Sequence, residues 1–428
     1  MRLRDILSEA QKDKAALDFL SKLVQKGPFK GRVYLAGGAP RDMQLGADPK
    51  DLDVVVKGGA TAGMDFAEWA AKEIGNYKAG SNPVLFPTFG TAKFTFAGVT
   101  HQGHDLSDID VEAVAPRKEK YTPGSRKPEV SAGELGDDVK RRDFTVNSLL
   151  HDLTTGETLD LTGMGKDDIK AGIVRTPLEP DVIFGEDPLR ILRAARFTAK
   201  YNWKLPVFMM RSIKRNAKNL LTISKERIHD ETNKMLLTDF PYKAFRLLQI
   251  LGLMEYVFPS LVHSDLSQMK ATAKLKKDLI LRLVSAFSDV PPSRIQSEMS
   301  ALRYSADKIR AVVMTVSAIP DFKKKNGEFS DEDLRTYRDR LPDFFPILLD
   351  YAQVYMPNVE VGQIRSRYAA ISTEMEQNPL PFTGQDLINM GIKPGPNYKK
   401  LLDIVKKLYL QDPRTSKERY LYAIKNSI

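Results

Sequence analysis

The sequence predicts an α+β protein, with a small mixed α/β head followed by an extended all-α neck, body and tail. Short strand-like runs separated by Gly, Asn and Asp are confined to the part of the chain before about residue 155. From about residue 165 the apolar residues instead recur with the three- to four-residue period of helices. No repeat of fixed length connects these helices, so a solenoid is not predicted.

The elements of the head follow from its apolar spacing and its Gly and Pro breaks. In order, they are a helix, two strands, a helix and a series of short strands at 1–30, 32–36, 51–56, 61–75 and 84–114. Helical periods then occupy 186–200, 206–220, 224–237, 241–254, 266–289, 293–303, 306–318, 330–338, 342–354, 361–376, 383–391, 397–410 and 415–426.

Composition excludes several classes of protein. The 428 residues include no cysteine and five histidines, which excludes a disulfide scaffold and a thiolate nucleophile and makes a multi-histidine metal centre improbable. No window approaches 18 uninterrupted apolar residues, and the charged N-terminal segment has no apolar signal core. We therefore expect a cytoplasmic protein that does not enter membranes. Its net charge of +10 is compatible with a polyanionic partner.

Two aspartates mark the second strand as a candidate metal site. Asp51 and Asp53 are two residues apart, so their carboxylates share one face of the strand. Carboxylate oxygens are what Mg²⁺ prefers, and two-metal phosphoryl transfer uses such groups. A third carboxylate would complete the site. The strand at 109–114 offers both Asp110 and Glu112 on one face, and spacing alone does not choose between them.

A candidate phosphate-binding turn precedes the acidic strand. Gly37 and Gly38 end the first strand, and Pro40 suits the first turn of a following helix. Glycines allow the backbone to approach a phosphate, helix N-termini offer free N–H groups, and Arg41 adds a positive fork. A phosphate-binding turn about a dozen residues before an acidic pair indicates a binding site for a nucleoside triphosphate and its metal ion.

Four motifs in one order resemble the class II tRNA nucleotidyltransferases and bacterial poly(A) polymerases. The first is Gly37-Gly38-Ala39-Pro40-Arg41-Asp42 with Asp51-Leu52-Asp53. The second is Arg141-Arg142-Asp143-Phe144-Thr145-Val146-Asn147-Ser148. The third covers 186–197, beginning Glu186-Asp187-Pro188, and the fourth is Glu226-Arg227-Ile228-His229-Asp230-Glu231.

The resemblance implies a role for each matching residue. Asp51 and Asp53 would hold the catalytic Mg²⁺, and Glu112, rather than Asp110, matches the third acidic position. The implied nucleotide-binding residues are Gly37, Gly38, Arg41, Arg142, Asp143, Asn147, Asp187, Arg190, Arg193 and Arg196. The last four recur every third residue, so they would form a polar stripe on one helix face that reads the base.

The C-terminal segment resembles the tail of bacterial CCA-adding enzymes. The similarity covers 382–396, a Gly/Pro turn between two helices, and implies RNA binding by Lys393, Lys399 and Lys400. Residues 381–428 carry nine Lys or Arg against four Asp or Glu. In this family, a loop such as the polar segment 122–136 accompanies the switch from C to A addition.

The resemblance implies an enzyme that adds CCA to tRNA 3′ ends from CTP and ATP, with Mg²⁺ as cofactor. The alternatives are a CC-only adding enzyme, a poly(A) polymerase and a non-catalytic RNA-binding protein on the same fold. The tRNA acceptor arm, CTP and ATP are the expected partners. The implied domains are a catalytic head, a neck that recognises the base, a body and a basic tRNA-binding tail, at 1–155, 156–240, 241–335 and 336–428.

Overall fold

The computed structural model describes residues 3–49, 51–120 and 129–427, which form two compact units. The first unit takes in the chain as far as Arg227 together with Ile250–Leu253, and the second contains Ile228–Gln249 and Met254–Ile428. The predicted α+β class is confirmed. The four-part division into head, neck, body and tail remains a prediction.

The first unit begins with the mixed α/β head. Its elements are α1 (Leu3–Lys26), β1 (Val33–Leu35), α2 (Ala39–Gln44), β2 (Leu52–Val56), α3 (Ala62–Ile74), β3 (Val84–Phe86), β4 (Thr91–Thr95), β5 (Thr100–His101), β6 (His104–Asp105), β7 (Asp110–Val114), β8 (Arg117–Lys120), β9 (Glu129–Ala132), α4 (Leu135–Lys140), β10 (Leu150–Asp152) and β11 (Thr158–Leu159).

A seven-stranded sheet organises the head. Its strand order is β11-β10-β1-β2-β7-β4-β3, and β2 and β7 run parallel whereas the other neighbours are antiparallel. Two separate hairpins pair β5 with β6 and β8 with β9. Strand β9 lies within the segment predicted to be a polar loop. The part of that loop at 121–128 lies outside the described residues.

The two faces of the sheet have different surroundings. One face packs on α1 and α3 through a core that includes Leu20, Val54, Phe66 and Ala113. The opposite face has a smaller apolar cluster, in which Val139 of α4 packs with side chains of β1, β2 and β10. Strand residues alternate between the two faces of a sheet. Asp53, next to Val54, and Glu112, next to Ala113, therefore point away from the larger core.

The rest of the described chain is helical. The helices are α5 (Gly165–Ala171), α6 (Pro180–Glu186), α7 (Leu189–Tyr201), α8 (Val207–Asn216), α9 (Lys225–Leu236), α10 (Pro241–Leu251), α11 (Leu279–Ala286), α12 (Pro292–Ala301), α13 (Ala306–Lys325), α14 (Asp331–Arg340), α15 (Phe345–Tyr355), α16 (Val361–Gln377), α17 (Gly384–Asn389), α18 (Pro396–Gln411) and α19 (Lys417–Lys425). Among the described residues, no helix is long and apolar enough to cross a membrane.

Sequence periodicity located most helices to within a few residues, but four features differ. The helix predicted at 266–289 is a 3₁₀ stretch followed by α11, because the Asp278 side chain caps α11 by accepting a hydrogen bond from the Leu281 amide at 2.8 Å. The helix predicted at 306–318 continues to Lys325 as α13. The short helices α4, α5 and α6 were not predicted. The helix predicted from residue 186 begins instead at Leu189, after a break that follows α6.

Helix α3 and strand β7 approach each other closely at Gly63, so a substitution there tests the packing of the head. A Cβ added at Gly63 would lie 2.8 Å from the backbone of Ala113 and Val114. We expect Gly63→Ala to lower the free energy of unfolding by about 1–3 kcal/mol, since backbone atoms cannot move aside. Urea unfolding measures the change. Gly136→Ala in α4 is the control, because its Cβ would meet nothing within 4 Å, and an equal loss in both variants would contradict this explanation.

Candidate active site

Two acidic residues face each other across the parallel strand pair. Asp53 of β2 is in register with Glu112 of β7, and both side chains are exposed on the face opposite the larger core. Asp51 precedes β2, two residues from Asp53, and is also exposed. The pairing therefore joins two of the three predicted catalytic carboxylates, which are far apart in sequence.

The surroundings of Asp53 disfavour the ionised form of its carboxyl group. Enclosure by protein atoms, followed by the charges of Glu112 and Asp51, raises the pKa of Asp53 to about 6. The charge of Arg142 acts in the opposite direction but does not balance these effects. A cation bound at this point would relieve the repulsion, so the local electrostatics fit a metal ligand.

The alternative third carboxylate, Asp110, has a different partner. Its side chain pairs with Lys93 of β4 at 2.6 Å, and the charge and hydrogen bond of Asp110 raise the pKa of Lys93. Asp110 also lies at the start of β7, two residues before Glu112, the residue that pairs with Asp53. This geometry favours Glu112, in agreement with the resemblance.

The diglycine turn brings backbone close to the acidic strand. Gly37 has a φ of +69°, which favours glycine, and a Cβ there would lie 3.4 Å from Asp53 Oδ2. The Ala36 amide donates to the Asp53 carbonyl at 2.8 Å. Gly38 then caps α2, and a Cβ at that position would lie 2.9 Å from Arg41 Nη2. Gly37 is thus favoured by its backbone conformation, whereas a side chain at Gly38 would displace the Arg41 guanidinium.

Arg41 is buried and held by several partners. Its Nε and Nη2 atoms each donate to the Asp42 carboxylate at 2.9 Å, while Nη1 donates to Asn147 Oδ1. Its guanidinium also lies over the rings of Phe197 and Tyr201, at 5.3 and 5.0 Å from their centroids. Arg41 is 5% exposed, so most of its surface supports the turn.

Asp143 links α7 to the diglycine turn. Its carboxylate accepts hydrogen bonds from Arg193 Nε and from Asn147 Nδ2, each at 2.8 Å, and Asn147 accepts in turn from Arg41. Burial alone would raise the pKa of Asp143, but the Arg193 charge and these hydrogen bonds hold it below its ordinary value. Asp143 is therefore a buried anion that orients the surrounding cationic side chains.

A second buried carboxylate, Asp138 of α4, holds two arginines. Asp138 is 0% exposed and pairs with Arg141 at 2.6 Å and with Arg142 at 2.7 Å. Burial opposes its ionisation, yet the charges of Arg142 and Arg141 hold its pKa below the ordinary value. Arg142 Nη1 also donates to the Asn147 carbonyl at 3.1 Å. Asp138 thus fixes the orientation of both guanidinium groups.

The predicted polar stripe is only partly helical. Arg190, Arg193 and Arg196 lie on α7, but Asp187 lies in the break before it. Asp187 Oδ1 accepts from the Leu189 amide at 3.1 Å, just before the helix, and Oδ2 accepts from Arg227 at 2.8 Å. Placing Asp187 within the same helix was wrong, because Pro188 separates it from the first helical residue.

These groups surround one cavity of about 470 Å³. Seven arginines and one lysine line it against three aspartates, so its potential suits a polyphosphate. The predicted residues that line it are Gly37, Gly38, Arg41, Asp53, Arg142, Asp143, Asn147, Asp187, Arg190, Arg193 and Arg196. A smaller adjoining cavity of about 270 Å³ contains Asp53 together with Glu112. Asp51 lines neither of the two.

Sequence reasoning gave no role to several residues at this site. Lys200 and Arg227 line the cavity, and Asp138 supports it from α4. Lys200 continues the spacing of the α7 arginines, and Asp138 precedes Arg141 and Arg142 by one helical turn, so both carried a detectable signal.

The three predicted tail lysines belong to the second unit. Lys393 lies in the turn between α17 and α18, and Lys399 and Lys400 lie on α18, all with exposed side chains. The turn is anchored by Tyr398, whose hydroxyl donates to the Gly384 carbonyl. RNA binding by these lysines remains a prediction.

No metal site is complete within the described residues, because nowhere do three His, Cys, Asp or Glu side chains converge closely enough to hold an ion. Mg²⁺, however, is commonly held by one or two carboxylates together with substrate phosphates. The facing Asp53 and Glu112 beside a cationic cavity fit that second arrangement.

A mixed sheet that presents paired carboxylates beside an arginine-lined cavity defines a nucleotide-binding transferase head. Three consecutive family models match the chain: the poly(A) polymerase head domain at residues 33–175, the RNA- and SrmB-binding site of polymerase A at 209–264, and tRNA nucleotidyltransferase domain 2 at 274–417. Successive segments of the chain thus each match a domain of tRNA nucleotidyltransferases and poly(A) polymerases.

Individual relatives agree with this assignment. The chain is 33% identical to the mitochondrial CCA tRNA nucleotidyltransferase of Saccharomyces cerevisiae over 61% of its own length and 48% of that protein, so it spans about half of this relative. It is 25% identical to tRNA nucleotidyltransferase cca1 of Schizosaccharomyces pombe over 97% of its length and 95% of the relative. The fold is similar to that of the Bacillus stearothermophilus CCA-adding enzyme in complex with CTP, with a TM-score of 0.72, 22% identity and coverage of 97% and 98%.

The buried Asp138 pairs predict how stability depends on pH. We expect Asp138→Asn to lower the free energy of unfolding by about 3–5 kcal/mol at pH 7, because two guanidinium groups lose their buried partner. Since the folded-state pKa is depressed, this contribution is present above the ordinary value of about 4 and is lost as pH falls further. Urea unfolding should therefore show a smaller difference in the free energy of unfolding between the wild type and Asp138→Asn at pH 3 than at pH 7.

Asp137→Asn is the matched control for that measurement. Asp137 is the neighbouring residue of α4, and its side chain accepts a hydrogen bond from the Glu134 amide at 3.1 Å, which an asparagine oxygen can replace. We expect a small, nearly pH-independent change. Equal effects of the two substitutions would contradict the role given to Asp138.

Proposed function

We propose that this protein adds C, C and A to the 3′ ends of tRNA, using CTP and ATP without a nucleic-acid template. The observation that carries the proposal is a cavity in which cationic side chains lie beside Asp53, the residue that faces Glu112 across the parallel strand pair. Such a cavity suits a nucleoside triphosphate whose α-phosphate lies beside the carboxylates. The names of the relatives supply the expected substrate class.

Mg²⁺ is the proposed cofactor, held by Asp51 and Asp53 with Glu112 as the third catalytic carboxylate. When bound, the ion would lower the pKa of the attacking hydroxyl and stabilise charge on the departing pyrophosphate. The raised pKa of Asp53 supports this assignment, since a carboxylate destabilised by its neighbours gains from a cation.

The protein's own residues would bind and orient the nucleotide. The guanidinium groups of Arg142 and Arg193, fixed by Asp138 and Asp143, face the phosphates and ribose with little loss of side-chain entropy. Asp187 and Arg190 are the proposed partners of the base edge. The remaining nucleotide contacts assigned to this cavity are Gly37, Gly38, Arg41, Asn147 and Arg196.

The tail is the proposed tRNA-binding region. Lys393, Lys399 and Lys400 are exposed beside a helix–turn–helix segment, and cations of this kind bind RNA through phosphates. Duplex RNA offers little sequence information to a protein, so we propose recognition of the tRNA arm by shape and charge.

One extension assay separates this function from its alternatives. A tRNA that ends before CCA is incubated with labelled CTP, with ATP, or with both. We expect two C and one A to be added and synthesis then to stop. A stop after two C would identify a CC-only enzyme, unlimited A would identify a poly(A) polymerase, and tRNA binding without extension would identify a non-catalytic RNA-binding protein.

The acidic pair predicts loss of catalysis without loss of tRNA binding. We expect Asp53→Ala to abolish incorporation, by at least about a hundredfold, because the metal and the α-phosphate lose their shared ligand. Filter binding of tRNA should remain within about twofold, since the tail is unchanged. Asp110→Ala, which removes the partner of Lys93 on the same strand face as Glu112, is the control that should retain most activity. Continued extension by Asp53→Ala would refute the metal assignment.

Metal binding at Asp53 has a second signature in thermal stability. Because the pKa of Asp53 is raised to about 6, ionisation of this one carboxyl destabilises the folded wild type as pH rises from about 4 through 6. Without metal, Asp53→Asn should therefore melt above the wild type at pH 8 and near it at pH 4. Adding Mg²⁺ at pH 8 should raise the Tm of the wild type but not that of Asp53→Asn, as measured by scanning calorimetry.

The proposed location is the cytoplasm. Cell fractionation with an antibody to the protein tests it directly. Recovery in an organelle fraction would place it instead with relatives such as the mitochondrial enzyme of Saccharomyces cerevisiae.

A further inference from the structure

A second cavity opens beside Glu112, next to the one that takes the nucleotide. Its volume is about 460 Å³, and Glu112 shares its wall with three cations, Lys93, Arg117 and Arg141, and with one aromatic side chain, Phe86. The smaller cavity of about 270 Å³ adjoins both, since it contains Asp53 and Glu112. The three cavities thus follow one another along the acidic face of the sheet.

The strand register places Phe86 on that same face. Phe86 is paired with Thr91, and Thr91 is paired with Val114, which lies two residues beyond Glu112 in β7. Residues two apart in a strand share a face, and neighbouring strands are about 4.8 Å apart. Phe86 therefore lies two strands across and two residues along from Glu112, at about 12 Å, on the side away from Asp53.

The exposure of Phe86 is not explained by packing. Its side chain is 43% exposed, and it lies on β3, the edge strand of the sheet. A ring exposed among cationic groups is the usual arrangement for single-stranded nucleic acid, in which a base stacks on the ring while the cations follow the backbone. The adjacent carboxylate makes this a place where an RNA end could meet the reacting phosphate.

In-line transfer requires the attacking hydroxyl to reach the α-phosphate from the side opposite the departing pyrophosphate. The attacking hydroxyl and the departing pyrophosphate lie on opposite sides of the α-phosphate. If the triphosphate occupies the cavity lined by Arg142 and Arg193, the hydroxyl approaches past Glu112, from the second cavity. This step rests on the function proposed above.

We propose that the second cavity binds the last nucleotides of a single-stranded RNA 3′ end, with one base stacked on the Phe86 ring. The distance of about 12 Å from Glu112 corresponds to about three to four nucleotide steps at the stacked spacing of 3.4 Å, so the stacked base lies within the last three or four nucleotides. Lys93, Arg117 and Arg141 line the path of the intervening phosphates. Phe86 is thus a substrate-positioning residue for the acceptor, separate from the groups that bind CTP and ATP.

The first test separates the two substrates kinetically in the full-length protein. We expect Phe86→Ala to raise the KM for a tRNA lacking CCA by about fivefold or more, the lower end of measured base–aromatic stacking, with an unchanged KM for CTP. Phe86→Tyr should restore the wild-type KM, whereas Phe86→Leu should not, since it keeps an apolar side chain without an aromatic face. Tyr77→Ala is the matched control, because Tyr77 is 42% exposed on the same unit and lines none of the three cavities.

The second test reads stacking directly and does not depend on catalysis. A tRNA acceptor with 2-aminopurine among its last three nucleotides should lose fluorescence when it binds the wild type or Phe86→Tyr, and should keep it with Phe86→Ala. An unchanged acceptor KM together with unchanged quenching in Phe86→Ala would overturn the proposal. A rise in the KM for CTP alone would overturn it as well, because the cavity would then be a nucleotide site.

Failure of this inference differs from failure of the proposed function. If the wild type extends tRNA and Phe86→Ala behaves identically, only the acceptor site is wrong. If the wild type extends no tRNA, the proposed function is wrong, and the fluorescence measurement still decides whether an RNA end stacks on Phe86.

Discussion

The Asp143 carboxylate holds together segments that the chain keeps far apart. It accepts from Arg193, 50 residues away on α7, and through Asn147 it supports Arg41, a further 106 residues from Asn147 towards the N-terminus. A buried anion is costly unless every oxygen is satisfied, and here the Arg193 and Asn147 side chains and the Phe144 amide supply the donors. Because Arg193 pairs with this acceptor directly and Arg41 is linked to it through Asn147, this part of the cavity forms only when the turn after β1 and α7 are both in place.

Much of the fold could be predicted because the spacing of apolar residues along the sequence reflects which side chains are buried. The two-residue spacing of Asp51 and Asp53 predicted that their carboxylates share one strand face, and period-three spacing placed Arg190, Arg193 and Arg196 on one side of α7. These patterns depend only on residues near one another in sequence. The same local signals located most of the later helices, where apolar stripes are long and breaks are marked by Gly or Pro.

The remaining features depend on contacts between distant segments. Spacing alone left Asp110 and Glu112 equivalent, and the difference comes from the register that pairs Glu112 with Asp53 and from the salt bridge between Asp110 and Lys93. The break at Asp187 was missed because the Arg227 side chain that helps to hold it lies 40 residues further on. Helix α5 carries too few apolar residues for its period to be recognised.

The parallel pairing of β2 with β7 has a consequence for how the protein folds. Joining these strands closes a loop of about 60 residues, which contains α3, β3, β4 and the β5–β6 hairpin, and the entropy of that closure opposes it. Closure also brings two like charges, Asp53 and Glu112, side by side, and their repulsion opposes it further. Late pairing of β2 with β7 is the expected result, after the hairpin and α3 have formed local contacts. During synthesis, a chain with an incomplete head would thus hold no assembled acidic pair.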